Sequence, residues 1–236
     1  MSGGPVIPNF GEGSSCVLHN DLFCSDWFTQ NWSPVLQPAL VQHIELTAKA
    51  VGIGFVIAFA FAIVARRFRI VERPFSLLSA FVYTIPSLAL FQLLIPVTGL
   101  TDTTVLIALV GYTLLILFRN TVEGFRAVPA DVLESARGMG LTGLQTLWRI
   151  ELPLALPSIM AGVRIAVVST ISLATIAAFV RPVGLGHPIF DAIQDNIFKT
   201  ELFAAGGLAV ALAIGCDAIL VAAQRGLTPW TRAKRS

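Results

Sequence analysis

Five stretches of this chain are apolar over lengths that only a lipid bilayer or a very large protein core can bury. They run from Ile44 to Ala65, Phe75 to Val97, Thr103 to Phe118, Leu154 to Val180 and Leu202 to Ala223. Crossing the hydrocarbon core takes about 20 helical residues. Inside it each segment has to pair its own backbone N–H and C=O groups, which makes each stretch a helix. A chain of 236 residues cannot wrap five such helices in water. Only 13% of its residues are charged, about half the share of soluble domains, so the polar surface is missing too. The expected fold class is all-α integral membrane with about five transmembrane helices. The third is short, and the fourth is long enough to tilt.

The basic residues orient these spans. Arg66, Arg67, Arg69 and Arg73 follow the first, and Arg119, Arg126, Arg137 and Arg149 separate the third from the fourth. Arg225, Arg232, Lys234 and Arg235 end the chain. The other side holds only Arg181 and Lys199, between the last two spans. Basic loops stay in the cytoplasm, so the N-terminus is expected outside and the C-terminus inside, which an odd number of crossings satisfies. The chain divides into an extracytoplasmic arm over 1–42, a transmembrane domain over 43–224 and a basic cytoplasmic tail over 225–236.

The arm has neither the basic n-region nor the apolar h-region of a secretory signal. Gly13-Ser14-Ser15-Cys16 lacks the apolar stretch that a lipoprotein cleavage site requires. Phe23, Trp27, Phe28 and Trp32 are spaced for a short amphipathic helix at the outer interface, with Trp148 and Trp230 as inner anchors. Cys16 and Cys24 either pair in an oxidising compartment or stand as two surface thiols. Cys216 reads as a small core residue. No cysteine or histidine spacing suggests a metal.

The most informative segment runs between the third and fourth spans, over 128–153. Pro129 suits a first helical turn, with Asp131 and Glu134 near the positive end of the helix dipole. Gly138 and Gly140 permit the left-handed backbone that ends a helix. Thr142 and Gln145 are spaced as a capping box that opens a second helix. Leu144, Leu147, Trp148 and Ile150 then give one apolar face before Pro153 and Pro157. An ordered hairpin between two membrane helices is built to dock against a cytoplasmic partner.

Here the chain resembles the permease subunits of bacterial ABC importers, whose signature loop reads E-A-A-x3-G-x9-I-x-L-P. Glu134, Ala136, Gly140, Ile150, Leu152 and Pro153 stand in register, and only the first Ala is replaced, by Ser135. Thr84-Ile85-Pro86-Ser87-Leu88-Ala89-Leu90, Ala161-Gly162-Val163-Arg164 and Ala174-Thr175-Ile176-Ala177-Ala178-Phe179 are similar to the osmoprotectant branch. That branch imports glycine betaine, choline, carnitine or proline betaine. Many members continue with G-A-G-G-L-G, where this chain has Val180-Arg181-Pro182-Val183-Gly184-Leu185-Gly186.

The resemblance implies a type I importer transmembrane fold in the bacterial inner or plasma membrane. It also implies a cytoplasmic ATPase dimer, a second permease and an external substrate-binding protein as partners. The second permease is homologous but non-identical, or a second copy; the altered Arg181-Pro182 segment favours the former. No cofactor is expected in this chain. It has no G-x-x-x-x-G-K-[ST] loop, so ATP and Mg belong to the partner ATPase, while Glu134, Ala136 and Gly140 transmit its motion. No nucleic-acid partner is expected.

Within the spans, Tyr83, Pro86 and Tyr112 are candidates for the substrate path, since quaternary ammonium groups favour aromatic faces. Phe81 and Phe91 are weaker candidates, and lipid contact or core packing is the competing reading for each. Arg164 lies about 15 Å into the fourth helix and Asp217 roughly 9 Å from the inner end of the fifth. They pair, or Arg164 snorkels to the interface. A different small solute such as an amino acid is the alternative cargo. A membrane-embedded hydrolase would need a nucleophile with a base, or H-E-x-x-H, and His19, His43 and His187 supply neither.

Overall fold

Where apolar runs carry a proline, its position decides whether the helix widens, bends or continues. The computed structural model describes residues 15–194 and 197–231. The start of the arm and the tail residues Arg232, Lys234 and Arg235 lie outside the described residues. All regular structure among the described residues is helical.

Two short helices, α1 (Ser15–Leu18) and α2 (Ser25–Asn31), precede the first long one, α3 (Gln37–Arg67). A π turn over Trp32–Leu36 joins α2 to α3, making one continuous helix from Ser25 to Arg67. The turn comes just before Pro38. Proline has no N–H, and its ring crowds the carbonyl four residues back. A wider turn, in which the Gln37 N–H reaches the Trp32 carbonyl, relieves that crowding.

The second expected span, Phe75 to Val97, is not one helix. It divides into α4 (Arg69–Thr84) and α5 (Ser87–Thr98), which meet at 102°. Pro86 is the cause. It forces Ile85 out of helical backbone, to φ −70° and ψ 128°, and is itself extended at ψ 137°. Hydropathy registers composition and is blind to this break.

The third span is α6 (Asp102–Arg126), which continues well past Phe118. It is the central helix, packed by α3, α4, α5 and α9 (Leu152–Ile176). Small residues let the backbones approach. A β-carbon on Gly54 of α3 would lie 1.9 Å from the Thr113 hydroxyl, and one on Gly162 of α9 would lie 2.5 Å from Asn120 Cβ. Two apolar clusters flank α6, one around Phe75, Phe118 and Phe125, the other around Phe91, Leu109 and Tyr112.

Between α6 and α9 lie α7 (Ala130–Gly138) and α8 (Gly143–Thr146). A second π turn, Leu147–Glu151, runs into α9 ahead of Pro153. The fourth span thus belongs to a continuous helix of 37 residues, Gly143–Phe179, which begins well before Leu154. Beyond it come α10 (Gly186–Gln194) and α11 (Lys199–Leu227). Four long apolar helices and the bent α4–α5 pair make up to five spans, as the apolar runs require.

The arm departs from expectation. Its aromatic residues do not form a separate interfacial helix. Trp27 is buried, edge-on against Phe198 with ring centroids 5.4 Å apart, and Phe28 and Trp32 pack on the same cluster. Phe23 stays exposed. Cys16 and Cys24 form a disulfide. The turn between them is tied to α11, where Lys199 N–H donates to Asn20 Oδ1 at 2.8 Å and the Thr200 hydroxyl to the Asp21 carbonyl at 2.9 Å.

Candidate functional site: a docking hairpin and a broken helix

The hairpin is built largely by local rules. Pro129 takes the N-cap position, so α7 begins at Ala130 with Asp131 in its first turn. It ends at Gly138 and is closed just beyond by Gly140, which adopts φ +78°. The Gly140 N–H donates to the Arg137 carbonyl at 2.9 Å and the Leu141 N–H to the Ala136 carbonyl at 3.1 Å, the paired closure that a left-handed residue allows. Gly138, expected to share that role, remains inside the helix. Thr142 and Gln145 form the full capping box, at 3.3 and 2.8 Å.

Within this frame Ala136 is fully buried and Glu134 is exposed. The carboxylate of Glu134 has no hydrogen bond or ion pair among the described residues and is free to meet a partner. The expected single apolar face splits. Leu147 turns into the core and Ile150 is half-buried, while Leu144 and Trp148 are exposed alongside Met139. The π turn that starts at Leu147 shifts the register between them. Leu152 and Pro153 are half-buried where the helix enters the bundle.

The structure adds a residue that motif reading passes over. Glu151, between Ile150 and Leu152, is 5% exposed and is held two-pronged by Arg66 at the end of α3. The second prong, Arg66 Nη2 to Glu151 Oε1, measures 2.6 Å. Arg66 also reaches the Gly143 carbonyl at 3.4 Å. A lone Glu at the start of an apolar span calls for a cation, which is the signal that finds it. Nearby, Arg126 bridges to Glu72 at 2.6 Å. Both pairs line a cleft of about 680 Å³ between the hairpin and the ends of α3 and α4.

Tyr83, Pro86 and Tyr112 meet at the break between α4 and α5. Pro86 makes the bend. Tyr112, on α6, is buried and donates its hydroxyl to the Ile85 carbonyl. Tyr83 is 43% exposed, and its ring stands at 70° to that of Tyr112, with centroids 5.9 Å apart. Phe81 is exposed, and Phe91 is buried in the core.

Arg164 and Asp217 are brought together. Nε lies 2.8 Å from Oδ1 and Nη2 3.0 Å from Oδ2, joining α9 to α11. Arg164 is therefore engaged laterally with a neighbouring helix.

The altered segment after Phe179 has its own logic. Arg181 pairs with Asp102, at the start of α6. The retained glycines are there for packing. Gly184 sits at φ +61° against His43, and a β-carbon on Gly186 would lie 2.2 Å from the Thr175 carbonyl. His43 is fully buried and uses both ring nitrogens. Nε2 donates to the Ile171 carbonyl at 3.0 Å, and Nδ1 accepts from the Leu185 N–H at 3.2 Å. These partners fix the neutral Nε2–H tautomer.

Comparison with known proteins agrees with this architecture. Residues 50–232 match the family described as binding-protein-dependent transport system inner membrane component. The choline transport system permease protein OpuBB of Bacillus subtilis (strain 168) is 36% identical over 80% of this chain and 86% of its own. Two glycine betaine/carnitine/choline transport system permease proteins of the same organism are also similar. OpuCB is 34% identical over 80% of this chain and 86% of its own, and OpuCD 33% identical over 88% and 90%. Among solved structures, the inward-facing MetNI methionine ABC transporter matches with a TM-score of 0.70 at 20% identity, over 79% of this chain and 93% of that one. That match shows the shared fold. The chain is a multi-pass membrane permease, a transport subunit, and it belongs to the family of binding-protein-dependent transport system inner membrane components.

Proposed function

We propose that this permease is the membrane-spanning subunit of an ATP-driven importer for a small quaternary-ammonium osmoprotectant such as glycine betaine, choline, carnitine or proline betaine. The observation that carries the coupling role is the hairpin. Glu134 is exposed and unengaged on a short helix closed at both ends, and the adjoining segment is bound to α3 through Glu151 and Arg66. A push on Glu134 from below therefore reaches two long helices at once. The substrate class is supported by the relatives, permeases of choline and of glycine betaine/carnitine/choline transport systems, since these three compounds share a trimethylammonium group.

In this reading the N-terminus is outside, where oxidising conditions suit the Cys16–Cys24 disulfide, and the hairpin and C-terminus are cytoplasmic. A partner ATPase dimer binds ATP and Mg, and an external binding protein delivers the substrate. The second permease is a homologous, non-identical chain. Arg181 is satisfied within its own chain and so does not demand such a partner. Support comes instead from two permease proteins, OpuCB and OpuCD, bearing the same system's description in one organism.

The test is reconstitution of the complete importer in proteoliposomes with labelled choline and glycine betaine. Uptake that requires both ATP and the binding protein is the expected result. ATP-dependent uptake of neither compound, with an unrelated solute transported, refutes the substrate class.

A further inference from the structure

We propose that the break between α4 and α5 is a transit site for the cationic head of the substrate, formed by the face of Tyr83 and the open carbonyl end of α4. This rests on the quaternary-ammonium reading above. A trimethylammonium group has no N–H to donate. It is held by aromatic faces and by partial negative charge.

The break supplies both. A helix end leaves its last four carbonyls without intrahelical partners. At the end of α4 two are met locally, with the Thr84 hydroxyl donating to the Phe81 carbonyl at 2.7 Å and the Ile85 N–H to that of Val82 at 3.2 Å. Among the described residues the carbonyls of Tyr83 and Thr84 have no such partner, and they lie at the end of the helix that carries roughly half a negative charge. Non-helical backbone at membrane depth is tolerated where protein buries it or where it lines a watery cavity. Tyr83, Thr84 and Pro86 are all exposed on this chain, as a path lining requires.

The aromatic part is held in place. Tyr112 spends its hydroxyl on Ile85 and presents its ring to Tyr83, so it acts as a positioning residue while Tyr83 offers the free face. Pro86 makes the bend a fixed feature. From Phe75 to Thr98 there is no charged residue. No cation repels the substrate there, and no carboxylate traps it. Passage needs a site favourable enough to enter and weak enough to leave.

The experiment uses the complete importer in proteoliposomes, with choline as probe and saturating binding protein. Position 83 carries tyrosine, Tyr83→Phe, Tyr83→Leu, or phenylalanine bearing two or three ring fluorines, which drain the ring face of negative charge. Uptake per ATP hydrolysed should survive Tyr83→Phe, fall stepwise with fluorination, and drop about tenfold in Tyr83→Leu. Stimulation of ATP hydrolysis by loaded binding protein should persist throughout, which separates this effect from misfolding. Wild-type uptake with a flat fluorine series overturns the site alone. Absence of choline uptake by the wild type overturns the substrate reading and the site with it.

Discussion

Arg66 and Glu151, 85 residues apart in sequence, form the two-pronged ion pair that fastens the end of α3 to the segment joining the hairpin to α9. Removing one partner of a buried pair costs about 3–5 kcal/mol. Because the Arg66 side chain is 27% exposed, the low end of that range is expected. Glu151→Gln and Arg66→Met should each lower the melting temperature in detergent, and the double variant should lose less than their sum. Strict additivity would show that the two act independently.

Arg164 and Asp217 call for the same cycle with a smaller effect, since both side chains are about one-third exposed. Asp217→Asn and Arg164→Gln are each expected to loosen α11 from α9. Faster hydrogen exchange along α11 in either single variant, reversed in part in the double, is the confirming pattern.

His43 joins three segments through one neutral ring. His43→Leu would leave the buried Leu185 N–H unpaired, at about 1–3 kcal/mol, and would remove the second donor from the Ile171 carbonyl, which sits inside α9. The loss should appear as earlier proteolysis around residues 180–188 with the hairpin still protected. Nitrogen-15 NMR should report the Nε2–H tautomer; a ring protonated on Nδ1 would contradict the geometry.

In the hairpin, Gly140→Val places a β-carbon at φ +78°, a conformation costing roughly 1–2 kcal/mol. Glu134→Lys reverses the charge offered to a partner, and like charges across an interface can cost several kcal/mol. Both variants should insert at normal levels yet lose substrate-stimulated ATP hydrolysis. Normal uptake in both would show that coupling runs elsewhere.

The orientation is tested in intact cells with single cysteines in a background lacking the native three. An impermeant thiol reagent should label position 191 and spare position 134. Labelling at 134 would invert the arrangement.

Much of this architecture was legible because it follows from local chemistry. Apolar length located the spans, and Thr142 with Gln145 set the start of α8. The carboxylate at Asp217 needed a cation at similar depth, and Arg164 was available. What escaped had non-local causes. From sequence Trp27 reads as an interface anchor, because Phe198 and Ala205, in the cluster that buries it, lie far along the chain. Glu151 is not marked by its motif because its partner, Arg66, lies on α3. The break at Pro86 was visible as a residue but was averaged away by the apolar run around it.

The unbroken helix from Gly143 to Phe179 spans about 55 Å at 1.5 Å per residue. It is a lever. A tilt of about 5° at the hairpin end swings the far end by about 5 Å, roughly one side-chain width. At that far end sits Phe179, its ring 4.0 Å from that of Phe190. A small tilt at the hairpin end would thus be enlarged to a displacement of the Phe179–Phe190 contact at the other end.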